Sequence, residues 1–439
     1  MRRRALIEQL EQPGTGEDGD SAVKFRFWHL SLLLAPAALV LYWYNTNGAT
    51  TGHLIFWLFG VSLLALLPLA QFNGDMVEVL ARGRSQIVSG LMNAFLGNIP
   101  EIAIGFWLLM QVVRHPDLTD SNYTIVHGLL LGSVISNILL TLGLATFAGA
   151  WRHGRLRFSQ ERAAGFASML GLAVVGLALP TLATAFADRG KELLGSHTEE
   201  AVSLVVCAIL FLSYIAYVLV EYFHVGDRLD VAKAEEAEAA HQQLTAAEEF
   251  ALKRDEEAKA ARARELAQGS GELKSLSVGM TALALSALVV SIGAIAGVCA
   301  TLVTVSDRVI VASPALTPLS FGLIVLPVIC NFGELLEAVQ MAWGKRMEEA
   351  MEVAAGSSVQ VPLFVTPVII FVGFIFALLT PGLQQFTLVF KPLELVTVGL
   401  VVFVYALVNL DGETTWLEGV QLCAFYAMIA LTALALPGR

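Results

Sequence analysis

The sequence predicts an all-α membrane protein of about 11 transmembrane helices, arranged as one helix plus two inverted repeats of five. Three observations predict it. The chain has 439 residues, of which 56% are hydrophobic and 15% charged, with a mean hydropathy of +0.69; a soluble chain of this length carries more charge. Runs of roughly 20 apolar residues, long enough to cross a bilayer, recur along it. Two short motifs, Gly97-Asn98-Ile99-Pro100-Glu101 and Cys330-Asn331-Phe332-Gly333-Glu334, sit deep inside such runs, one in each half.

The predicted spans are 27–45, 53–78, 86–113, 123–150, 160–182, 199–223, 275–303, 315–343, 351–380, 392–410 and 414–436. The organisation that follows is a tail over 1–26, an extra helix and loop over 27–52, a first repeat over 53–223, a linker over 224–274 and a second repeat over 275–439. Arg2, Arg3 and Arg4 precede a polar stretch and read as a cytoplasmic anchor, not a cleavable signal. Arg82 and Arg84, the group Arg152, Arg155, Arg157 and Arg162, and the pair Lys345 and Arg346 fall in loops on one side. The positive-inside rule makes that side cytoplasmic, with the N-terminus there. Five spans per half is an odd number, so the halves enter the membrane in opposite directions, as in alternating-access transporters.

The linker is rich in Ala, Glu, Lys and Arg; residues 226–272 hold 12 acids and 7 bases. It reads as a solvated helix or hairpin, either a spacer or a regulatory element that senses cations. The net charge of −11 argues against nucleic acid as a partner. Cys207, Cys299, Cys330 and Cys423 all lie in apolar runs without zinc-like spacing and read as small buried hydrophobes, Cys330 being distinct in adjoining the second motif.

A carboxyl at membrane depth is costly and marks an ion or proton site. Inverted symmetry would bring Glu101 and Glu334 together near the midplane, where two carboxylates suit a hard divalent cation. Asn98 and Asn331, three residues before each Glu and so on the same side of the helix, add amide oxygens. Pro100 and Pro327 cannot donate to the carbonyls of Leu96 and Leu323, which become further candidate ligands. Gly132-Ser133-Val134-Ile135-Ser136-Asn137 echoes Gly356-Ser357-Ser358-Val359-Gln360, so Ser133, Asn137, Ser357 and Gln360 are candidates for either close packing or ligation. An empty pair of buried carboxyls favours protons, and two protons or one divalent cation leave similar charge behind. That is a physical basis for obligatory exchange. The alternative is a structural Glu bonded to a neighbouring helix. Glu78 and Asp307 are candidates for the two entrances, and Glu337 for a third proton or cation site or a partner of a basic residue. Asp411, Glu413 and Glu418 read as a solvated loop.

These residues resemble the calcium/proton exchangers of the cation/proton exchanger (CAX) family, within the calcium:cation antiporter superfamily. Gly90-Leu91-Met92-Asn93-Ala94-Phe95-Leu96-Gly97-Asn98 looks like that family's GGLLNATFGN, and Gly132–Asn137 like its GSILSN. Ala355–Gln360 and Leu363-Phe364-Val365-Thr366-Pro367 look like its GSSIQ and LFVTP stretches, and Asp411-Gly412-Glu413 with Trp416–Gly419 like its DGxSxWLEG end. The resemblance implies the one-plus-five-plus-five fold, central acids at Glu101 and Glu334, and a further acid at Glu78. The chain departs from the family pattern at Cys330, where Gly is usual, at Leu335, where His is usual, at Pro100, and in the extra acid Glu337. The missing His removes a group that titrates near neutrality.

The expectation is a non-enzymatic antiporter that exports Ca2+ or a related cation against protons, with no cofactor and with the cation, protons and the lipid bilayer as partners. A bacterial inner membrane is expected, a vacuolar one being the alternative; oligomeric state is not legible. The rivals are a sodium-coupled calcium exchanger and a monovalent cation/proton antiporter. An intramembrane hydrolase has no HExxH or GxSG pattern to support it, and a non-transporting sensor would work through the linker.

Overall fold

The computed structural model describes residues 34–47, 52–81, 92, 95–187, 198–223, 278–313 and 316–435. The N-terminal tail, the acidic linker and the loop holding Arg82 and Arg84 lie outside the described residues, as does the side chain of Glu78.

The described chain is almost wholly helical. Its helices are α1 (Leu34–Asn47), α2 (Gly52–Ala81), α3 (Ile99–Arg114), α4 (Thr119–Ile135), α5 (Leu142–His153), α6 (Gln160–Ala187) and α7 (Thr198–Phe223) in the first half. The second half has α8 (Val278–Ala312), α9 (Pro318–Cys330), α10 (Phe332–Trp343), α11 (Met347–Gln360), α12 (Thr366–Leu379), α13 (Pro392–Val408) and α14 (Trp416–Ala435). Each of the eleven expected segments holds a helix. Among the described residues seven are long and apolar enough to cross a membrane, and α9 and α10, bent by 53°, pass the same test only when taken together. α1 and α13 are shorter apolar helices, and α3 fills only the later part of its segment.

Three π-helical turns interrupt the described helices, one of them at Phe321–Val325 within α9 and two at matching points of the two halves. A π-helical turn at Ser136–Thr141 joins α4 to α5, and another at Val361–Val365 joins α11 to α12. Both follow the small-residue motifs directly. Single π turns inside helices are often found at functional sites. Phe364, within the second turn, packs against Phe95, Phe211 and Tyr214 with ring centroids 5.5–5.9 Å apart.

Glycine allows the helices of the two halves to touch backbone to backbone. A Cβ on Gly132 would lie 2.3 Å from the Leu323 carbonyl oxygen, and one on Gly322 2.4 Å from that of Ile125. Without a hydrophobic drive between helices in lipid, such close approach supplies the packing.

At one end the basic loops meet. Arg152 lies over the Trp343 ring at 5.0 Å, and Arg152 and His153 both donate to the Trp343 carbonyl. Arg162 pairs with Glu348 and Glu352. A two-residue ladder pairs β1 (Leu156–Arg157) with β2 (Glu413–Thr414), and Glu413 binds Arg155 and Arg157. Glu418 accepts from the Thr415 N–H at 2.7 Å and so caps α14. The stretch read as a solvated loop is therefore an ordered clasp, formed because the acids have arginine and backbone partners there.

At the other end, the non-helical connection between α12 and α13 turns in the exposed stretch before Gln384 and then buries Gln385, Phe386, Leu388 and Phe390, so its polar groups need partners there. Tyr123 donates to the Gln384 carbonyl. His127 Nε2 donates to that of Thr387 at 2.8 Å, with its ring between Phe386 and Phe390. Ser203 accepts from the Leu388 N–H at 3.0 Å, and Thr181 accepts from the Phe390 N–H at 3.0 Å. Side chains of α4, α6 and α7 thus hold this strap in place.

Gly322→Ala should lower stability by about 1–3 kcal/mol, since its methyl meets backbone that has no room to move. Gly171→Ala, with open space around it, should not. Thermal melts of the purified variants in detergent check both.

Candidate ion site at the paired helix breaks

The two Asn-x-x-Glu motifs adopt the same local structure. Asn98 (φ −93°, ψ 19°) precedes α3 and Asn331 (φ −89°, ψ 9°) precedes α10, both at the N-cap. Proline shapes both breaks: Pro100 occupies the first turn of α3, and Pro327 lies one turn before Asn331. Glu101 and Glu334 then fall in the first turn of their helices, where free N–H groups and the helix dipole favour negative charge.

Each break meets the small-residue motif of the opposite half. Asn98 Nδ2 donates to Gln360 Oε1 at 2.9 Å. Asn137 Nδ2 donates to Glu334 Oε2, also at 2.9 Å, and Thr141 donates to Asn137 Oδ1 at 3.4 Å. Asn331 Nδ2 donates to the Ser133 carbonyl at 3.4 Å. Ser357 lies within hydrogen-bonding reach of Glu334. Glu101, Glu334, Asn98, Asn331, Ser133, Asn137, Ser357 and Gln360 therefore converge from α3, α4, α10, α11 and the first π turn. Glu101 and Glu334 are close enough to interact electrostatically.

The two acids are not equivalent. Glu101 is sealed, 2% exposed, and its Oε2 has no hydrogen-bond partner among the described residues. Ser133 Oγ and Gln71 Oε1 are likewise buried and unpartnered. Glu334 has its amide and hydroxyl partners and is half-buried, and Glu337, nearby on α10, is exposed. Orphaned buried oxygens are costly unless something fills their lone pairs. A hard cation or a proton fills them.

The two candidate carbonyls are engaged. The Leu96 carbonyl accepts from Asn73 Nδ2, and the Leu323 carbonyl lies against Gly132. A carbonyl has a second lone pair, so Asn73 leaves Leu96 one further position. Asp307 stands apart from the cluster, at the far end of α8, where Gln111 holds it. Asn73 was not among the expected residues. It is wholly buried, accepts from Ser291 Oγ at 3.2 Å, and so ties α2 to α8 and to the first break. The signal was present as Gln71 and Asn73, two amides inside an apolar span.

Asn73→Ala leaves the carbonyl that Pro100 also cannot satisfy without its donor. We expect a loss of about 1–3 kcal/mol, read as a lower melting temperature of the detergent-solubilised protein.

Against known proteins, a family model described as sodium/calcium exchanger protein matches residues 54–223 and 283–435. A Ca(2+)/H(+) antiporter of Aphanothece halophytica is 31% identical over 384 residues, covering 87% of this chain and 91% of the relative. One of Synechocystis is 30% identical over 413 residues, covering 93% and 97%. Among solved structures, native YfkE superposes with a TM-score of 0.65 at 23% identity, covering 92% of this chain and 100% of that one. The H+/Ca2+ exchanger CAX superposes with a TM-score of 0.54 at 12% identity, covering 92% and 91%.

Proposed function

We infer that this chain, which belongs to the sodium/calcium exchanger protein family, is a multipass membrane antiporter that exchanges Ca2+ for protons. The fold class supports it, and the similarity to curated antiporters over most of both chains carries the choice of ions. In our reading Glu101 and Glu334 are the shared binding groups for both cargoes. The observation that supports this assignment is their convergence from the two helix breaks, with Glu101 Oε2 buried and unsatisfied.

The chemistry follows from the donor set. Two carboxylates and the surrounding amide, hydroxyl and carbonyl oxygens match what Ca2+ prefers. Asn98 and Asn137 position the site: the first is anchored on Gln360, and the second orients Glu334. When Ca2+ leaves, the carboxyls would be two buried like charges, and protons relieve that repulsion. Either load leaves a site of similar charge, whereas the empty ionised pair is costly to carry through an apolar layer. Glu334 is half-buried and Glu337 exposed on α10, the helix that ends at Trp343 where the basic loops meet, so we take that side as the access side of the present state. By the positive-inside rule that side is cytoplasmic. The eleven-span count, with one helix and two inverted repeats, accounts for the matched breaks and π turns of the two halves. The organism's membrane is a bacterial plasma membrane in this reading, with a vacuolar membrane as the alternative.

In acid-loaded proteoliposomes, added Ca2+ should alkalinise the lumen. Glu101→Gln and Glu334→Gln should each abolish the signal, while Asn137→Ala should raise the half-saturating Ca2+ by about 10–100-fold. Intact exchange in either glutamine variant would defeat the two-carboxyl reading. A response to Na+ or K+ in place of Ca2+ would favour the sodium-coupled or monovalent alternatives.

A further inference from the structure

A gap runs between α13 and α14. These helices follow one another in the chain and both pack on the first π turn, yet they scarcely touch each other. The space between them is a cavity of about 220 Å3, walled on its inner side by α4 and α9. Leu393 and Leu400 on α13 and Met428 on α14 line it and are 50–59% exposed, so it opens on the outer face of the helix bundle. Ile135 on α4 and Leu323 on α9 close its inner end and are buried.

The lining is graded from polar to apolar. α13 begins and α14 ends at the face opposite the basic loops, because β2 of the clasp joins their other ends. The three polar lining residues, Glu394 and Thr397 on α13 and Thr432 on α14, all lie toward that face. Further in, the lining is wholly apolar, with Leu400, Phe425, Ile135 and Leu323. Glu394 is 7% exposed, and its Oε2 accepts from the Lys391 N–H at 3.1 Å, which holds the carboxyl at the rim. Lys391 is exposed, and a basic side chain at such a helix end reaches the headgroup level. The rim thus sets one acid beside one base. The depth excludes water, since an apolar cavity of about 150 Å3 stays dry and takes up benzene. Outside the opening the solvent is hydrocarbon.

We propose that this cavity binds a phospholipid with an amine headgroup, one acyl chain lying between α13 and α14 and the headgroup over Glu394 and Lys391. The ammonium pairs with Glu394 and the phosphate with Lys391. A headgroup without the amine leaves Glu394 facing a phosphate of like sign, which selects against it. The tail ends against Ile135 and Leu323, beside the point where the two halves touch at Gly132. The bilayer thereby gains a hold on the contact between the halves. The proposal needs a membrane-spanning chain but no particular pair of exchanged ions.

The test counts lipids bound to the full-length protein by native mass spectrometry, after incubation in detergent with phosphatidylethanolamine or phosphatidylglycerol of the same acyl chains. The wild type should retain phosphatidylethanolamine about tenfold more strongly than phosphatidylglycerol. Thr397→Phe and Thr432→Phe, which fill the cavity from either helix, should each cut phosphatidylethanolamine binding by about tenfold. Glu394→Gln should bring the two lipids within about twofold of each other. Thr432 is exposed, so its replacement spares the core, and a thermal melt without added lipid checks that each variant is folded. Equal binding of the two lipids to the wild type, or undiminished binding in a folded phenylalanine variant, overturns the site. So does a dimer that carries no lipid, which would give the gap to a second copy of the chain.

Discussion

A carboxyl group buried at membrane depth must be protonated, paired with a cation or bound by donors, because the surrounding layer offers no water. This chain has two acids at the same point of a broken helix, Glu101 fully buried and Glu334 half-buried. Everything nearby serves that constraint. The break puts each carboxyl in the first turn of its helix, and at Glu334 an amide from the other half, Asn137, donates to it. Glu334 is held by Asn137 with Ser357 in reach, whereas Glu101 keeps an oxygen with nothing to accept.

Broken helices are tolerated only where their freed backbone is met by protein. Asn73 meets the carbonyl that Pro100 abandons. The buried strap between α12 and α13 is met by Tyr123, His127, Thr181 and Ser203. The π turns follow the small-residue motifs directly, and Gly132 and Gly322 let the two halves approach without side chains between them. These features depend on one another. The amide network needs backbones this close, and the close backbones need glycine, so a substitution at either level is felt at the carboxyls.

Much of this was legible in the sequence. The class, the helix positions and the two Asn-x-x-Glu motifs followed from apolar run length and from the cost of intramembrane acids. The motif residues converge through the hydrogen bonds of Asn98 with Gln360, Asn137 with Glu334 and Asn331 with Ser133. Three features were not legible. Asn73, beside Gln71, showed only as an amide inside an apolar span; its role comes from its reach to the Leu96 carbonyl in the fold. The clasp at Glu413 and Glu418 looked like a solvated turn because arginines far away in the chain supply its partners. The pairing of Asn122 with Gln111 and Asp307 joins three spans, and no spacing rule encodes it.

The inequality of the two glutamates bears on how exchange would proceed. Symmetric motifs would be expected to give symmetric surroundings, yet Glu101 is sealed and partly unsatisfied while Glu334 is half-open beside exposed Glu337. In an inverted repeat, the two halves exchange environments when access switches sides. On that view the present arrangement is one of two: on α10 Glu334 is half-buried and Glu337 exposed, and on α3 Ile104 and Leu108 are fully buried. The opposite state would open α3 and seal α10. Glu101 would then gain water and Glu334 would lose it. The energetic asymmetry between the carboxyls would therefore reverse with each half-cycle, and whichever group is sealed must be satisfied by Ca2+ or a proton before the switch. A membrane layer that refuses a bare carboxylate is thereby enough to forbid the empty, ionised crossing that would uncouple the two ions.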